Sequence, residues 1–167
     1  FIFTKKQMEI ISKFCEEQSK KGVLIFNDPI MADNGELYSG ISPDTVDYMK
    51  NIIAVSDVTM PNYTESCLLT NTKYKEGIST EEINSIINKI RELGAKSVII
   101  TSIPSVETKM VAGFDSKINE YFYLPYEEIP TYFPGTGDIF SSVIISETLE
   151  GKSLKVATEK AMKIVKE

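Results

Sequence analysis

The sequence of 167 residues contains no histidine and only two cysteines, Cys15 and Cys67. The absence of histidine excludes Ser–His–Asp triads, HExxH metalloprotease motifs and histidine-bound metals. Two cysteines so far apart in the chain are too few for a disulfide scaffold or a zinc site. Acid–base chemistry must therefore come from Asp, Glu, Lys, Tyr or Cys side chains.

The chain also lacks an excess of positive charge and any long apolar run. Its formal net charge is -6, which argues against general nucleic-acid binding because few cationic side chains remain to neutralise phosphates. No apolar stretch approaches the ~20 residues that a membrane-spanning helix needs. We therefore expect a cytoplasmic protein with reduced cysteines that binds neither nucleic acid nor membrane. Binding of small anions is compatible with the negative net charge, because backbone N–H groups and a divalent cation can hold them.

Short apolar stretches alternate with amphipathic helical patterns along the chain. Strands are predicted near residues 23–28, 57–60 and 96–102, a hairpin near 109–124, and two final helices near 136–149 and 153–166. A composition of 42% hydrophobic and 25% charged residues is typical of a globular domain. The alternation predicts one α/β domain, with a mainly parallel sheet covered by helices on both faces.

Polar residues stand at the predicted ends of the strands. Asp28 ends the first strand, and Asn62 follows the second. Thr101 and Ser102 end the third strand. Ligands of open α/β sheets bind beyond the carboxyl ends of the strands. We therefore expect these side chains to converge on one edge of the sheet.

A glycine-rich stretch, GTGD, stands directly before an apolar helical pattern and comprises Gly135, Thr136, Gly137 and Asp138. The glycines let a ligand approach the main chain, and the N–H groups of the following helical turn favour an anion. Asp138 is either a helix cap or a base that accepts a proton from a hydroxyl attacking a phosphate. The stretch alone leaves both interpretations open.

Two further motifs contain acidic and amide side chains. In DPIMADNGELY, the acidic residues Asp28 and Asp33 accompany a flexible Asn34–Gly35 turn. PNYTE spaces Asn62 and Glu65 three residues apart, so the two share one helix face. An amide and a carboxylate there suit hydrated Mg²⁺. A solvated loop and a helix cap are the simpler interpretations.

The order of motifs along the chain resembles that of the ribokinase-like superfamily and, more narrowly, of its pyridoxal (vitamin B6) kinases. The motifs are DPIMADNG, PNYTE, VIITS and GTGD. The resemblance covers nearly the whole chain and implies a three-layer α/β/α fold. It implies ATP-dependent phosphorylation of the 5′-hydroxyl of pyridoxal, pyridoxamine or pyridoxine, with Mg²⁺, a monovalent cation such as K⁺, and a homodimer. Such kinases have a further N-terminal segment with the first strands and part of the substrate pocket. We therefore expect residues 1–167 to form a single domain holding the C-terminal, ATP-binding portion.

The resemblance assigns catalytic and metal-binding roles to matching positions. Asp138 would contact the vitamer and deprotonate its 5′-hydroxyl, while the backbone amides of residues 135–138 would form an anion hole. Asn62 and Glu65 would organise Mg²⁺ and the ATP phosphates. Asp28 would lie near the cation.

The nucleotide-binding roles fall on two other segments. Asp33 would belong to a lid that closes over ATP, and Tyr38 would close the lid segment. Thr101 and Ser102 would contact the nucleotide phosphates. Met60 stands where many relatives have threonine, so a cation ligand at that side chain is lost.

Two alternatives stay open at this point. One is a hydroxymethylpyrimidine (phosphate) kinase of thiamin synthesis, which acts on a similarly flat heteroaromatic alcohol. The other is a nucleotide-binding fragment without catalysis, which would bind ATP but transfer no phosphoryl group.

Overall fold

The computed structural model describes residues 2–129 and 133–166. Its helices are α1 Lys5–Ser19, α2 Asp44–Ile53, α3 Tyr63–Leu69, α4 Thr80–Glu92, α5 Thr136–Leu149 and α6 Leu154–Lys166. Its strands are β1 Phe26–Asn27, β2 Ala32–Asp33, β3 Glu36–Leu37, β4 Val58–Thr59, β5 Ser97–Pro104, β6 Lys109–Asp115 and β7 Glu120–Tyr126. No helix within these ranges is long and apolar enough to cross a membrane.

One five-stranded sheet forms the centre of the domain, in the order β1-β4-β5-β6-β7. β1, β4 and β5 pair in parallel, whereas β6 pairs antiparallel with both β5 and β7. Four of the five strands therefore point the same way, and only β6 runs against them. The predicted β6–β7 hairpin and the mainly parallel sheet are confirmed.

The pleat of β5 divides the interior into two apolar cores. Val98 and Ile100 belong to one core, which α1, α2, α3 and α4 cover. Ile99 belongs to the other core, which α5 and α6 cover. Alternate side chains of a strand point to opposite faces of its sheet, so a continuous apolar strand needs helices on both sides. The expected three-layer α/β/α architecture is thus confirmed.

The first predicted strand is shorter than its apolar pattern suggested. Of residues 23–28, only Phe26–Asn27 form β1, while the side chains of Val23 and Leu24 are 48% and 40% exposed. Within the described residues, β1 stands at the end of the sheet order, beside β4. β4 pairs with Phe26 and Asn27 alone, so the described ladder of β1 is limited to two residues.

Candidate active site

The carboxyl ends of the parallel strands lie side by side. Asp28 directly follows β1, and Asn62 stands at the N-terminus of α3, after β4. The Thr101 N–H donates to the Pro61 carbonyl over 3.1 Å, and Asn62 forms an isolated parallel bridge with Thr101. These contacts hold the ends of β4 and β5 together at the predicted edge.

The GTGD stretch opens α5 at this same edge. Gly135 is the N-cap residue, in the left-handed region with φ 91°. A side chain at Gly135 would meet no atom within 4 Å, so the backbone of the turn is open to a ligand. The first N–H groups of a helix have no acceptor inside the helix. This helix start therefore has the geometry of an anion site.

Asp28 connects β1 to the first turns of α5. The Ser141 hydroxyl donates to Asp28 Oδ2 over 3.3 Å, and the same oxygen lies 4.0 Å from the position that a Cβ on Gly137 would take. Asp138 lies in the first turn of α5 with an exposed side chain. A ligand reaching this turn therefore meets two carboxylates and a row of backbone amides.

The environment of Asp28 disfavours its negative charge. Burial raises the pKa of the Asp28 carboxyl to about 6, the hydrogen bond from Ser141 opposes the rise, and the charge of Asp138 adds to it. Two carboxylates that repel each other in a partly buried site favour a bound cation or proton between them.

A second pair of predicted residues forms the N-terminus of α3. Asn62 Oδ1 accepts a bond from the Glu65 N–H over 2.9 Å, while Glu65 Oε2 accepts one from the Asn62 N–H over 2.8 Å. This reciprocal capping box satisfies two backbone donors at the start of the helix. The simpler interpretation of PNYTE, a helix cap, is therefore confirmed as at least one of its functions.

Glu65 is buried, with 2% of its surface exposed. Desolvation raises the pKa of its carboxyl to about 7, against the opposing effect of backbone N–H bonds from Met31, Asn62 and Ala32. The charge of Asp28 raises this pKa further. Glu65, Asp28 and Asp138 thus form a chain of interacting carboxylates along the edge.

The predicted lid is an ordered hairpin of β2 and β3. Asn34 and Gly35 connect the strands with φ values of 50° and 83°, the positive values of a tight two-residue hairpin turn. Asp33 belongs to β2, and the Tyr38 N–H donates to the Met31 carbonyl over 3.0 Å. The Tyr38 ring is 41% exposed, at the end of the hairpin.

Thr101 and Ser102 lie inside β5, so the prediction that the strand ends there is wrong. The strand continues to Pro104 through an irregularity of register between Ile100 and Ile103. Ser102 has a positive φ of 57°, a left-handed conformation that is uncommon for residues other than glycine. A bulge redirects the side chains next to it, which a simple apolar pattern does not indicate.

The sequence pattern did not identify two residues that contact the predicted set. Ser141 reaches Asp28, and it stands three positions after Asp138 on the same helix face, a spacing that offered a usable signal. The Thr64 hydroxyl accepts a bond from the Gly35 N–H over 2.9 Å. Because these two lie 29 residues apart in the chain, no local pattern indicated the contact.

Within the described ranges, no group of three or more His, Cys, Asp or Glu side chains is arranged to hold a metal ion. Mg²⁺ needs fewer protein ligands than that, since it keeps several waters and binds through one or two carboxylates together with substrate phosphates. Asp28 suits such a cation, because a positive charge would relieve its repulsion with Asp138. Glu65 suits it less directly, because both of its oxygens accept backbone N–H bonds.

The sequence model of one family, phosphomethylpyrimidine kinase, matches residues 1–167. The chain belongs to this family. Among curated proteins it is similar to a pyridoxal kinase of Dictyostelium discoideum, with 28% identity over 170 residues that cover 95% of this chain and 54% of the kinase. A pyridoxal kinase of Arabidopsis thaliana is 28% identical over 123 residues, covering 71% of this chain and 38% of that protein. The resemblance to pyridoxal kinases is thus confirmed.

Solved structures support the same fold. A Bacteroides thetaiotaomicron protein, provisionally assigned as a phosphomethylpyrimidine kinase and crystallised with pyridoxal, superposes with a TM-score of 0.87 at 32% identity. The match covers 98% of this chain and 58% of that one. Plasmodium falciparum PdxK, solved with AMP-PNP and PL, gives a TM-score of 0.81 at 25% identity and covers 99% and 60%. The chain therefore spans between about two fifths and three fifths of the length of these relatives.

Proposed function

We propose that the protein containing this chain transfers the γ-phosphoryl group of ATP to the 5′-hydroxyl of a vitamin B6 vitamer. The observation that supports this most is the convergence of Asp138, Asp28 and the open N-terminus of α5 at one edge of the sheet. The relatives named pyridoxal kinases, and the similar structures solved with pyridoxal or an ATP analogue, agree with it.

The proposed reaction is an in-line phosphoryl transfer. Asp138 accepts the proton of the 5′-hydroxyl while the hydroxyl oxygen forms a bond to the γ-phosphorus of ATP. The bond between the γ-phosphorus and the β–γ bridging oxygen breaks, and ADP leaves. The exposed side chain of Asp138 is open to an acceptor, as a base must be. The backbone amides of Gly135, Thr136, Gly137 and Asp138 stabilise the charge on the phosphoryl oxygens in flight.

Mg²⁺ would supply charge neutralisation on the phosphates of ATP. Asp28 is the residue that we propose to face it, because its carboxylate lies beside the first turns of α5 and is already destabilised by a neighbouring negative charge. Asn62 and Glu65 would contribute through water, since their side chains are bonded to the backbone around them.

The nucleotide would lie along the rest of this edge. Asp33 and Tyr38 are placed on the lid hairpin, and Thr101 is held beside Asn62. We propose that these residues, with Ser102, line the path of the ATP phosphates. A K⁺ requirement and a homodimer stay predictions from the resemblance to the family, and a cytoplasmic location stays a prediction from the sequence composition.

A hydroxymethylpyrimidine kinase is the second candidate, because the family model matching the whole chain is named for phosphomethylpyrimidine kinases. Both reactions would use the same base, anion site and cation. They differ in the acceptor alone, so the choice between them depends on an acceptor assay.

The test is Mg²⁺-dependent ADP release from ATP by the gene product that contains this chain. Pyridoxal, pyridoxamine, pyridoxine, hydroxymethylpyrimidine and ribose would each serve as acceptor. We expect turnover with a B6 vitamer. Turnover with the pyrimidine alone would move the protein to thiamin synthesis. ATP binding with no turnover on any acceptor would contradict both kinase assignments and favour a nucleotide-binding fragment.

A further inference from the structure

Side chains from the N-terminus of α3 hold the backbone of the lid hairpin. Asn62 Nδ2 donates to the Ala32 carbonyl over 2.7 Å, and Glu65 Oε1 accepts from the N–H groups of Met31 at 2.9 Å and Ala32 at 3.4 Å. These bonds fix the base of the hairpin. They join the hairpin to the N-terminus of α3, whose Asn62 and Glu65 we proposed above to contribute to Mg²⁺ binding through water.

Thr64 provides the corresponding contact at the tip of the hairpin. Its hydroxyl accepts the Gly35 N–H over 2.9 Å. In a two-residue hairpin turn, the flanking residues pair with each other, and the N–H of the second turn residue needs an acceptor from elsewhere. Thr64 is 4% exposed and Gly35 is half-buried, so the bond is partly shielded from water.

The tip of the hairpin is also packed against an aromatic side chain. A Cβ on Gly35 would lie 3.6 Å from the Tyr74 ring, and that ring packs against Tyr63 of α3 with centroids 5.2 Å apart. The packing limits the turn from one side, while the Thr64 hydroxyl sets the direction of its backbone. Asp33 directly precedes this turn, so its position follows that of the turn.

We propose that Thr64 is a positioning residue for the nucleotide, acting through the lid hairpin. This inference rests on the proposed function, because it requires the hairpin to contribute to ATP binding. The Thr64 hydroxyl fixes the conformation of the Asn34–Gly35 turn, and the turn fixes the position of Asp33. The bonds from Asn62 and Glu65 hold the base of the hairpin beside the proposed phosphate-binding side of the site. Thr64 itself touches no reacting atom.

The experiment compares Thr64→Val, which keeps the β-branched shape but removes the hydroxyl, with Thr64→Ser, which keeps the hydroxyl. Two quantities are measured on the gene product: the hydrogen-exchange rate of the Gly35 amide, and the dissociation constant of AMP-PNP with Mg²⁺. Loss of one buried hydrogen bond corresponds to roughly a fivefold change in an equilibrium. We expect Thr64→Val to speed Gly35 exchange and raise the dissociation constant by about that factor, and Thr64→Ser to restore both.

Thr70→Val is the matched control. Thr70 lies at the other end of α3, where its hydroxyl bonds to the Ser66 carbonyl over 2.7 Å, so the variant removes a hydroxyl from the same helix without touching the hairpin. It should leave Gly35 exchange and AMP-PNP binding unchanged. If Thr64→Val does not fold, Thr64→Ala takes its place against Thr64→Ser.

Two results would overturn the proposal. Unchanged Gly35 exchange in the valine variant would show that the hydroxyl does not hold the turn. Faster exchange with unaltered AMP-PNP affinity would show that the turn does not position the nucleotide. Both outcomes are distinct from a failure of the proposed function, which would be AMP-PNP binding by the unmodified protein without phosphoryl transfer to any acceptor.

Discussion

Two helices begin at the same edge of the sheet, and their first turns are built differently. α3 begins at Asn62, whose side chain caps the helix, and Glu65 returns a bond to the backbone of Asn62. α5 begins at Gly135, which has no side chain to offer and holds a left-handed conformation. Glu65 at the third position of α3 is buried, whereas Asp138 at the equivalent position of α5 is exposed.

In sequence, PNYTE and GTGD could each either cap a helix or bind an anion. The structure distinguishes the two helix starts by what their first N–H groups contact. A helix start whose N–H groups are met by its own side chains has little left for a ligand, and it serves to hold neighbouring segments in place. A helix start with glycine at the cap leaves those N–H groups for an anion. α3 therefore holds the β2–β3 hairpin at this edge, and α5 is the helix start at which we place the proposed chemistry.

The largest expected effect is on Asp138. If this carboxylate is the general base, Asp138→Asn and Asp138→Ala should lower turnover by about two to four powers of ten, because proton transfer from the hydroxyl loses its acceptor. Steady-state ADP release with the best acceptor measures this loss. The affinity for AMP-PNP should change far less than turnover.

Asp44→Asn is the matched control for this prediction, because Asp44 is likewise an exposed acidic residue in the first turn of a helix, α2. It reproduces the loss of a charge near a helix dipole without touching the site. An Asp138→Asn protein with turnover close to that of the Asp44→Asn protein would remove the base from the mechanism.

The next effect concerns the buried carboxyl of α3. Glu65 keeps its proton in the folded protein up to about pH 7, whereas its ordinary pKa is 4.5. The folded state therefore binds more protons than the unfolded state between these values, and stability falls as the pH rises through the window. We expect Glu65 to contribute a decrease on the order of 3 kcal/mol in the free energy of unfolding without Mg²⁺ or ATP, measured by urea denaturation from pH 4.5 to 8.

Two variants separate Glu65 from other titrating groups. Asp28, with a pKa of about 6, contributes in the lower part of the window, so Glu65→Gln should flatten the part above pH 6. Glu82 occupies the same capping-box position in α4 but is exposed, and hydrogen bonds lower its pKa, so Glu82→Gln should leave that part in place. A slope above pH 6 that persists in Glu65→Gln would contradict this assignment.

The smallest expected effect is that of Gly137→Ala, which should raise stability and lower activity. Gly137 is the second residue of α5, and a methyl group there would lie 4.0 Å from Asp28 Oδ2, which leaves room for it. Gly137→Ala should stabilise the helix by about 0.5–1 kcal/mol and raise the melting temperature by roughly 2–4 °C. It should also lower turnover by roughly tenfold or more, because the methyl stands where the phosphoryl group must approach the amides.

Calorimetry would measure the melting temperature, and the ADP-release assay on the same preparation would measure the turnover. A Gly137→Ala protein that gains stability and keeps full turnover would show that the phosphoryl group does not pass between α5 and Asp28.

Local patterns predicted the architecture well and the lengths of some strands poorly. The β6–β7 hairpin depends on residues close in sequence, and it is present as predicted. The apolar run of residues 23–28 became a two-residue strand, since the length of a strand depends on a partner distant in sequence, here Val58–Thr59. The strand through Ser102 continued past its predicted end, because a bulge absorbs the polar residue.

In the candidate site, too, some features were predictable from the sequence and others depend on contacts between distant residues. The motif order placed Asp28, Asn62 and Glu65 at one edge, because the carboxyl ends of parallel strands must meet there. The use of Glu65 as an acceptor for the backbone of Met31 was not predictable, since it depends on a loop 34 residues away. The bond from Ser141 to Asp28 crosses 113 residues, and only the folded chain brings the two together.

We propose that α5, and not α3, presents its N-terminal amides to the phosphates of ATP. Backbone amide chemical shifts, recorded as AMP-PNP and Mg²⁺ are added to the ¹⁵N-labelled gene product, would distinguish the two helices. We expect large changes at Thr136, Gly137 and Asp138, and small ones at the first-turn amides of α3, residues 63–65. Large changes at residues 63–65 with little change at the GTGD amides would contradict it.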